Sequence, residues 1–410
     1  MSPISPLVDE NLASLSFWAK PPEERDALFA SLRTANTRIF CPLPNDEGFF
    51  ALTRYEEVAE ASRHPDVFSS QPTATSPVDP SPTISEFSGS MISMDDPRHA
   101  RLRRIVSRSF TPRMIQRFAD DVAALATQIV DDLKERGPCD FVTQVAMPMP
   151  LQIICSMMGI PRTAHDEVID ATNAILALGD PEHVDEQGRG REEVIVDKFT
   201  ILHELVVDLA RQRKEQPGED LITALIHANV DGEALTDHEL RLFFTLLVVA
   251  GNETTRNAIS HALALLTAHP EQRSHLLGNV EDRLPAAVEE VVRYSTPVTW
   301  MRRTLTRDYE LMGSTYHAGD RVILYYVSAN RDEREFKDPH AFDITRSPNA
   351  HFGFGAPGPH FCLGAHLARR EVTVMLREIY TRLPEIHSTA EPIRQRASFI
   401  NGIKSLPCAF

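Results

Sequence analysis

Cysteine is scarce in this chain: five residues in 410, at positions 41, 139, 155, 362 and 408. Their odd number and scattered spacing give neither a disulfide framework nor a zinc-ligand cluster, so the expected setting is a reducing cytoplasm. Long apolar runs are also missing. The best candidate, residues 242–250, is far too short for a bilayer and contains Thr245. No membrane span is expected, and Met1-Ser2-Pro3-Ile4-Ser5-Pro6 has no signal-peptide character. Positive charge is in deficit, with 42 Lys and Arg against 58 Asp and Glu and a net charge of −16. That balance argues against nucleic acid as a partner. There is no internal repeat, no low-complexity run and no linker, so residues 1–410 are expected to form a single domain.

What is present is mostly helical periodicity. Residues 48–53 read as a strand, and 55–64 as a helix stopped by Pro65. Residues 69–86 are rich in Ser, Thr and Pro and read as a loop. Helical signals dominate 97–277. The clearest helix starts at the capping box Thr236-Asp237-His238-Glu239 and meets no proline before Pro270. That leaves room for about 32 helical residues, roughly 48 Å at 1.5 Å per residue, enough to run through the middle of a globule. A further helix is expected over 285–294, then short strands at 301–305, 310–312 and 321–327. The fold class expected is mainly α with a small β component.

The chemistry concentrates in Phe354-Gly355-Ala356-Pro357-Gly358-Pro359-His360-Phe361-Cys362-Leu363-Gly364. One cysteine closes a Gly/Pro-rich loop, and a helical pattern follows at once. A thiol there gains from backbone N–H groups and from the positive end of the helix dipole, which is how a protein holds a thiolate as a metal ligand. The same stretch contains Gly353-Phe354-Gly355-Ala356-Pro357-Gly358, which spells G-x-G-x-x-G. A dinucleotide site would need a strand before it and a helix opening inside it. The preceding Thr345-Arg346-Ser347-Pro348-Asn349-Ala350 is turn-like, and Pro357 and Pro359 stand where the helix would begin.

Three distant motifs accompany this loop. Within the long helix, Ala250-Gly251-Asn252-Glu253-Thr254-Thr255 is a locally poor helical segment, with a glycine and adjacent β-branched residues. Glu290 and Arg293 stand at i, i+3 on one helical face. Met94-Asp95-Asp96-Pro97-Arg98-His99-Ala100-Arg101-Leu102-Arg103 opens another helix, with His99 and Arg103 sharing a face.

Together these residues resemble the cytochrome P450 family. The resemblance runs from about residue 50 to 407. It implies the fold of that family, with the long helix over a haem b, and Cys362 as the iron ligand. It implies that His99, Arg103, Arg303 and His360 hold the haem propionates, with Phe354, Gly364 and Ala250 against the ring. Gly251 would leave space for dioxygen, and Glu253 and Thr254 would relay protons for O–O cleavage. Glu290 and Arg293 would form the buried pair beneath the cofactor. The third member of that network is usually an arginine at the position of Ala341, so it stays open, with His340 as a substitute. Upstream, Ala329-Asn330-Arg331-Asp332 and Phe336-Lys337-Asp338-Pro339 match the family's usual run.

The loop departs from the commonest pattern in one respect. Its phenylalanine, Phe354, lies eight residues before Cys362 rather than seven, as in a subset of actinobacterial members that act on sterol side chains or methyl-branched lipids. The implied reaction is hydroxylation of an unactivated C–H bond of a hydrophobic small molecule, with O2 as co-substrate. Electrons would come from a ferredoxin and its NAD(P)H-dependent reductase. By family position the substrate pocket would use Val249, Ala250, Val298, Thr299, Trp300, Phe399 and Ile400, under a lid from residues 69–86 and 168–178. Arg101, Arg103, Arg104 and Arg108, with Arg113 beyond, form a basic group suited to an acidic ferredoxin.

Overall fold

The computed structural model describes residues 4–6, 11–35, 37–44, 46–109, 112–176, 191–229 and 232–410. Leu178 of the expected lid and the side chain of Arg113 lie outside them. The capping box behaves as its spacing dictates. The Thr236 side chain accepts from the Glu239 N–H, Glu239 accepts from the Thr236 N–H, and the helix runs Asp237–Ala268. This central helix packs against Pro148–Met158, Arg191–Glu215, Val280–Ser295 and Ala365–Arg382. Its two halves serve two apolar clusters. Ala258, Ile259, Ala262, Leu263 and Leu266 join one with Val288, Val291, Met375 and Ile379. Leu240, Phe243, Phe244 and Val248 join the other with Leu102, Ile154, Phe199 and Leu202.

The β component is a six-stranded mixed sheet. From edge to edge its strands are Ile4–Pro6, Arg38–Leu43, Asp46–Leu52, Arg321–Tyr325, Trp300–Leu305 and Phe68–Ser69. The register sets Arg303 opposite Val322 and Trp300 opposite Tyr325. Smaller sheets pair Tyr309–Leu311 with Ser314–Tyr316 and Ile393–Arg394 with Ile403–Ser405. A three-stranded sheet joins His387–Ser388, Pro407–Ala409 and Cys139–Asp140.

Three local expectations need correction, the first being the strand expected over 321–327, which ends at Tyr325 where the helix Tyr326–Ala329 begins. Residues 69–86 are not all loop: Pro82–Ser88 is a helix, with the Ser81 hydroxyl accepting from the Ile84 N–H and Pro82 at its first position. The helix expected from Pro285 starts at Val280, capped by Asn279, and carries Pro285 inside it. Among the described residues no helix is long and apolar enough to cross a membrane.

Candidate functional site

The loop before Cys362 is built by close packing. No strand precedes it, and the next helix, Ala365–Arg382, opens only after the cysteine. Gly355 has φ +92°, a conformation that L side chains rarely adopt. A Cβ at Gly358 would run into the carbonyl of Ser62 on the helix Tyr55–Arg63. These glycines therefore shape and seat a loop, and the dinucleotide pattern has no strand or helix to act with. The Cys362 N–H donates to the Phe354 carbonyl at 2.9 Å, which folds the loop back on itself.

Cys362 has accessible surface, yet protein surrounds it closely enough that burial pushes its thiol up. Both hold for a side chain that lines an interior cleft. The Gly364 N–H, Arg103 and Arg369 oppose the burial effect, so the thiol's partners are those that favour a thiolate.

On one side of this cysteine gather the four expected donors. The rings of His99 and His360 lie 4.2 Å apart. Arg103 Nη2 donates to the Phe361 carbonyl at 2.6 Å, and buried Arg303 donates to the Arg302 carbonyl at 2.7 Å. Burial, then Arg303, His99 and Arg103, push His360 down to about 2, so its imidazole is neutral. Burial and Arg103 lower His99 as well. Ser70, which the sequence did not single out, meets His360 Nε2 at 3.0 Å. Asp95 is committed to the Ser69 hydroxyl and the Ser70 N–H. Among the described residues no carboxylate pairs with Arg103 or Arg303. Guanidinium groups without a carboxylate, beside the neutral His360 and with His99 3.5 Å from Asp96, form a donor set that suits an anion with several oxygens.

The central helix carries an accessible stripe of its own. Leu246, Leu247, Ala250 and Thr254 retain accessible surface, while Thr245, Val248, Asn252, Glu253 and Thr255 are buried. The spacing is that of one helical face. Leu246, Leu247 and Val249 pack against the same apolar cluster as Leu363 and Leu367, which flank the cysteine. Thr254 donates its hydroxyl to the Ala250 carbonyl at 2.8 Å. Glu253 turns elsewhere: it accepts from Arg256, and from Asn257 at 3.1 Å. Arg256 in turn reaches Asn173 at 3.4 Å. Gly251 is half-buried on this turn. Its Cβ direction points at Ile154, which a methyl would meet at 3.4 Å, so the exposed position on this turn is Ala250.

Beneath the loop, Glu290 and Arg293 are both fully buried and joined by hydrogen bonds of 2.7 and 2.8 Å. Arg293 also donates to the carbonyls of Asn330, Pro339 and Ala341. The open third position is filled by Arg346, whose Nε lies 3.2 Å from Glu290. His340 is not the substitute: its ring is half exposed and sits near Asp26 and Glu333. Asn349 and the Asp343 N–H complete the shell around Glu290.

Glu289, next in sequence, was not expected to matter. It accepts from Arg369 at 2.6 and 2.9 Å and from His351 at 3.1 Å, and the Arg369 guanidinium covers the Phe354 ring at 4.1 Å. Glu290 thus holds the segment that leads into the cysteine loop, while Glu289 ties His351 before the loop to Arg369 after it. Burial raises Glu289, but Arg369 and His351 outweigh it and hold the carboxyl at about 2, against an ordinary 4.5. A depressed carboxylate contributes stability that is complete above about 4.5 and lost as pH falls toward about 2. Glu289→Gln is therefore expected to lower the urea midpoint of unfolding at pH 7, with the gap to wild type closing between pH 4.5 and 2. A gap independent of pH would remove this account of the pair.

The expected pocket is only partly realised. Val298 bridges Ile400, and the Thr299 N–H donates to the Phe399 carbonyl at 3.0 Å, so the two segments do meet. However, Thr299, Trp300 and Ile400 are buried core residues rather than lining. Trp300 packs with Phe17, Trp18, Phe29 and Tyr325, and its ring lies 5.0 Å from Phe399. Val298, Phe399, Val249 and Ala250 keep accessible surface. In the basic group, Arg101 pairs with Glu239 at 2.8 Å and Arg104 with Glu233 at 2.9 Å.

The family model for cytochrome P450 matches residues 15–383. The chain belongs to the cytochrome P450 family. A methyl-branched lipid omega-hydroxylase of Mycobacterium tuberculosis is 46% identical over 99% of this chain and 95% of its own length. A steroid C26-monooxygenase of Mycolicibacterium smegmatis is 38% identical over 88% of this chain and 83% of its own. Among solved structures, a Mycobacterium marinum cytochrome P450 in complex with pseudoionone is 39% identical, with a TM-score of 0.92 over the whole of both chains. The chain is a P450 monooxygenase with the mainly helical fold of that family. The family implies a haem-iron cofactor, and the thiol, the two guanidinium groups without a carboxylate partner and the accessible helical stripe fit one.

Proposed function

We propose that this P450 carries haem b and hydroxylates an unactivated C–H bond on a methyl-branched lipid, isoprenoid or steroid. It acts as a single cytoplasmic domain, taking electrons from a ferredoxin and its NAD(P)H-dependent reductase. The observation that supports the reading is Cys362 beside Arg103 and Arg369, with Leu363 next to it in the apolar cluster that Leu246, Leu247 and Val249 join. Cys362 would ligate the iron, and His99, Arg103, Arg303 and His360 would hold the propionates. Phe354, Gly364 and Ala250 would lie against the ring. When bound, this group activates dioxygen for insertion into a C–H bond.

The rest of the work falls to the chain. Leu246, Leu247, Val249, Val298 and Phe399 present apolar surface that excludes water and orients a hydrophobic chain. Relatives of this sequence act, by name, on methyl-branched lipids and on the steroid C26 position, and a neighbour binds an isoprenoid. All three ligands present branched aliphatic carbon. The Thr254 hydroxyl donates to the Ala250 carbonyl, which leaves its oxygen free at the accessible stripe to accept a proton and pass its own on. Glu253, with Arg256 and Asn173, forms a polar route from the central helix toward the helix His165–Leu176.

The reading is tested by the carbon-monoxide difference spectrum, then by ligand-induced Soret shifts across branched fatty acids, isoprenoids and sterols, and finally by product analysis. Absence of a red-shifted band would overturn it. Thr254→Ala is expected to cut product per electron pair by about tenfold or more while NAD(P)H oxidation continues, as loss of a positioned proton donor does. Unchanged coupling would remove Thr254 from the relay.

A further inference from the structure

Cysteines that look scattered in sequence are not scattered in space. Cys139 and Cys408, 269 residues apart, face each other across the antiparallel strands Cys139–Asp140 and Pro407–Ala409. Their sulfur atoms are 3.9 Å apart. Directly opposed residues in such a ladder have Cα atoms about 4.5 to 5.5 Å apart, inside the range that a disulfide spans without backbone movement. Cys139 is partly exposed and Cys408 is buried behind it, so an oxidant meets one thiol first and the second stands ready to resolve it.

We propose that Cys139 and Cys408 are a thiol pair that hydrogen peroxide converts reversibly to a disulfide, a modification site separate from Cys362. The Cys139 sulfur attacks one peroxide oxygen, the O–O bond breaks, and the leaving hydroxide takes the Cys139 thiol proton and departs as water, giving a sulfenic acid. The Cys408 thiol then attacks that sulfur, the S–O bond breaks and water leaves with the thiol proton. In total two thiols lose two electrons, and one peroxide is reduced to two waters. Of the other cysteines, Cys41 and Cys155 are buried, and Cys362 belongs to the site already described.

The crosslink has a structural consequence. Ser405 and Leu406 already donate to Asp140, the Phe141 N–H donates to the Leu406 carbonyl, and the Ile403 N–H donates to Asn257 on the central helix. A disulfide at Cys408 makes that attachment covalent and closes a very long loop, which restricts the unfolded chain.

The test treats the haem-loaded protein with hydrogen peroxide, and in parallel with diamide, followed by non-reducing peptide mapping. The expected product is one linked peptide pair containing residues 139 and 408, reversed by dithiothreitol, with thermal unfolding raised by several degrees. Cys139→Ser is expected to remove both the link and the thermal shift while leaving the reduced protein's stability unchanged. Cys408→Ala is the second variant, in which Cys139 then stops at sulfenic or sulfinic acid. Wild-type protein in which Cys139 is over-oxidised while Cys408 stays alkylatable would overturn the proposal. So would a thermal shift that persists in Cys139→Ser.

Discussion

Cys362→Ala is expected to fold and to lose the red-shifted Soret band completely. The fold has little invested in this side chain. Its thiol is accessible and has the Gly364 N–H as its hydrogen-bond partner, while the loop itself is held by backbone contact between Cys362 and Phe354 and by the two glutamates beneath. Removing the sulfur therefore leaves loop geometry, the cationic donors and the central helix in place. What disappears is the single soft anionic ligand of the site. The measurement is the carbon-monoxide difference spectrum, read together with thermal unfolding to show that the variant is folded. A red-shifted band surviving in Cys362→Ala would require another thiolate. Cys41, Cys155 and Cys408 are buried, and burial pushes each of their thiols up to about 12; Cys139 is raised by burial as well and faces Cys408 across the strand pair, so none of them offers one. Such a result would therefore dismantle the site rather than relocate it. Loss of folding in the variant would equally contradict the argument that the loop stands on its backbone and its glutamates.

The parts of this arrangement that could be read from sequence are those whose signals are local. The central helix is announced by four consecutive residues at its start and one proline at its end, and it runs Asp237–Ala268. The cysteine loop is legible because its glycines, prolines and ligand are contiguous. Even the helix Pro82–Ser88 had its signal, a serine cap followed by proline, masked by the surrounding Ser, Thr and Pro. Partners chosen by the fold were not legible. Arg346 reaches Glu290 across 56 residues, and Cys139 meets Cys408 across 269. Glu289 looked like a neighbour of the charged pair, yet it holds its own set of partners, because adjacent helical positions point about 100° apart. Trp300 shows a different limit. An apolar residue next to a functional segment has the same composition whether it lines a cleft or fills a core. Only its burial within the cluster that also holds Phe17, Trp18 and Phe29 decides for the core.

Arg293→Ala is expected to be the most destabilising single change in this framework, by roughly 3–5 kcal/mol. Both partners of the pair are fully buried, so the change strands the Glu290 carboxylate in the interior with Arg346 as its remaining cation. It also leaves the carbonyls of Asn330 and Pro339 without the guanidinium that serves them. Folded domains are stable by only about 5–15 kcal/mol in total, so a loss of this size consumes much of the margin. Lysine is no remedy, because one ammonium cannot reproduce the planar fork that spans Glu290 and three carbonyls. The geometry also sets a rank order. Arg346→Ala should cost less than Arg293→Ala, since Arg346 lies nearer the surface and Arg293 still neutralises Glu290. His340→Ala should be nearly silent, because its half-exposed ring makes only distant ion pairs. Urea midpoints of the haem-loaded variants give this order directly. If His340→Ala proved as damaging as Arg346→Ala, the third member of the network would have to be reassigned. If Arg293→Ala cost less than about 1 kcal/mol, the pair would be no more than the surface ion pair that its sequence spacing alone would suggest.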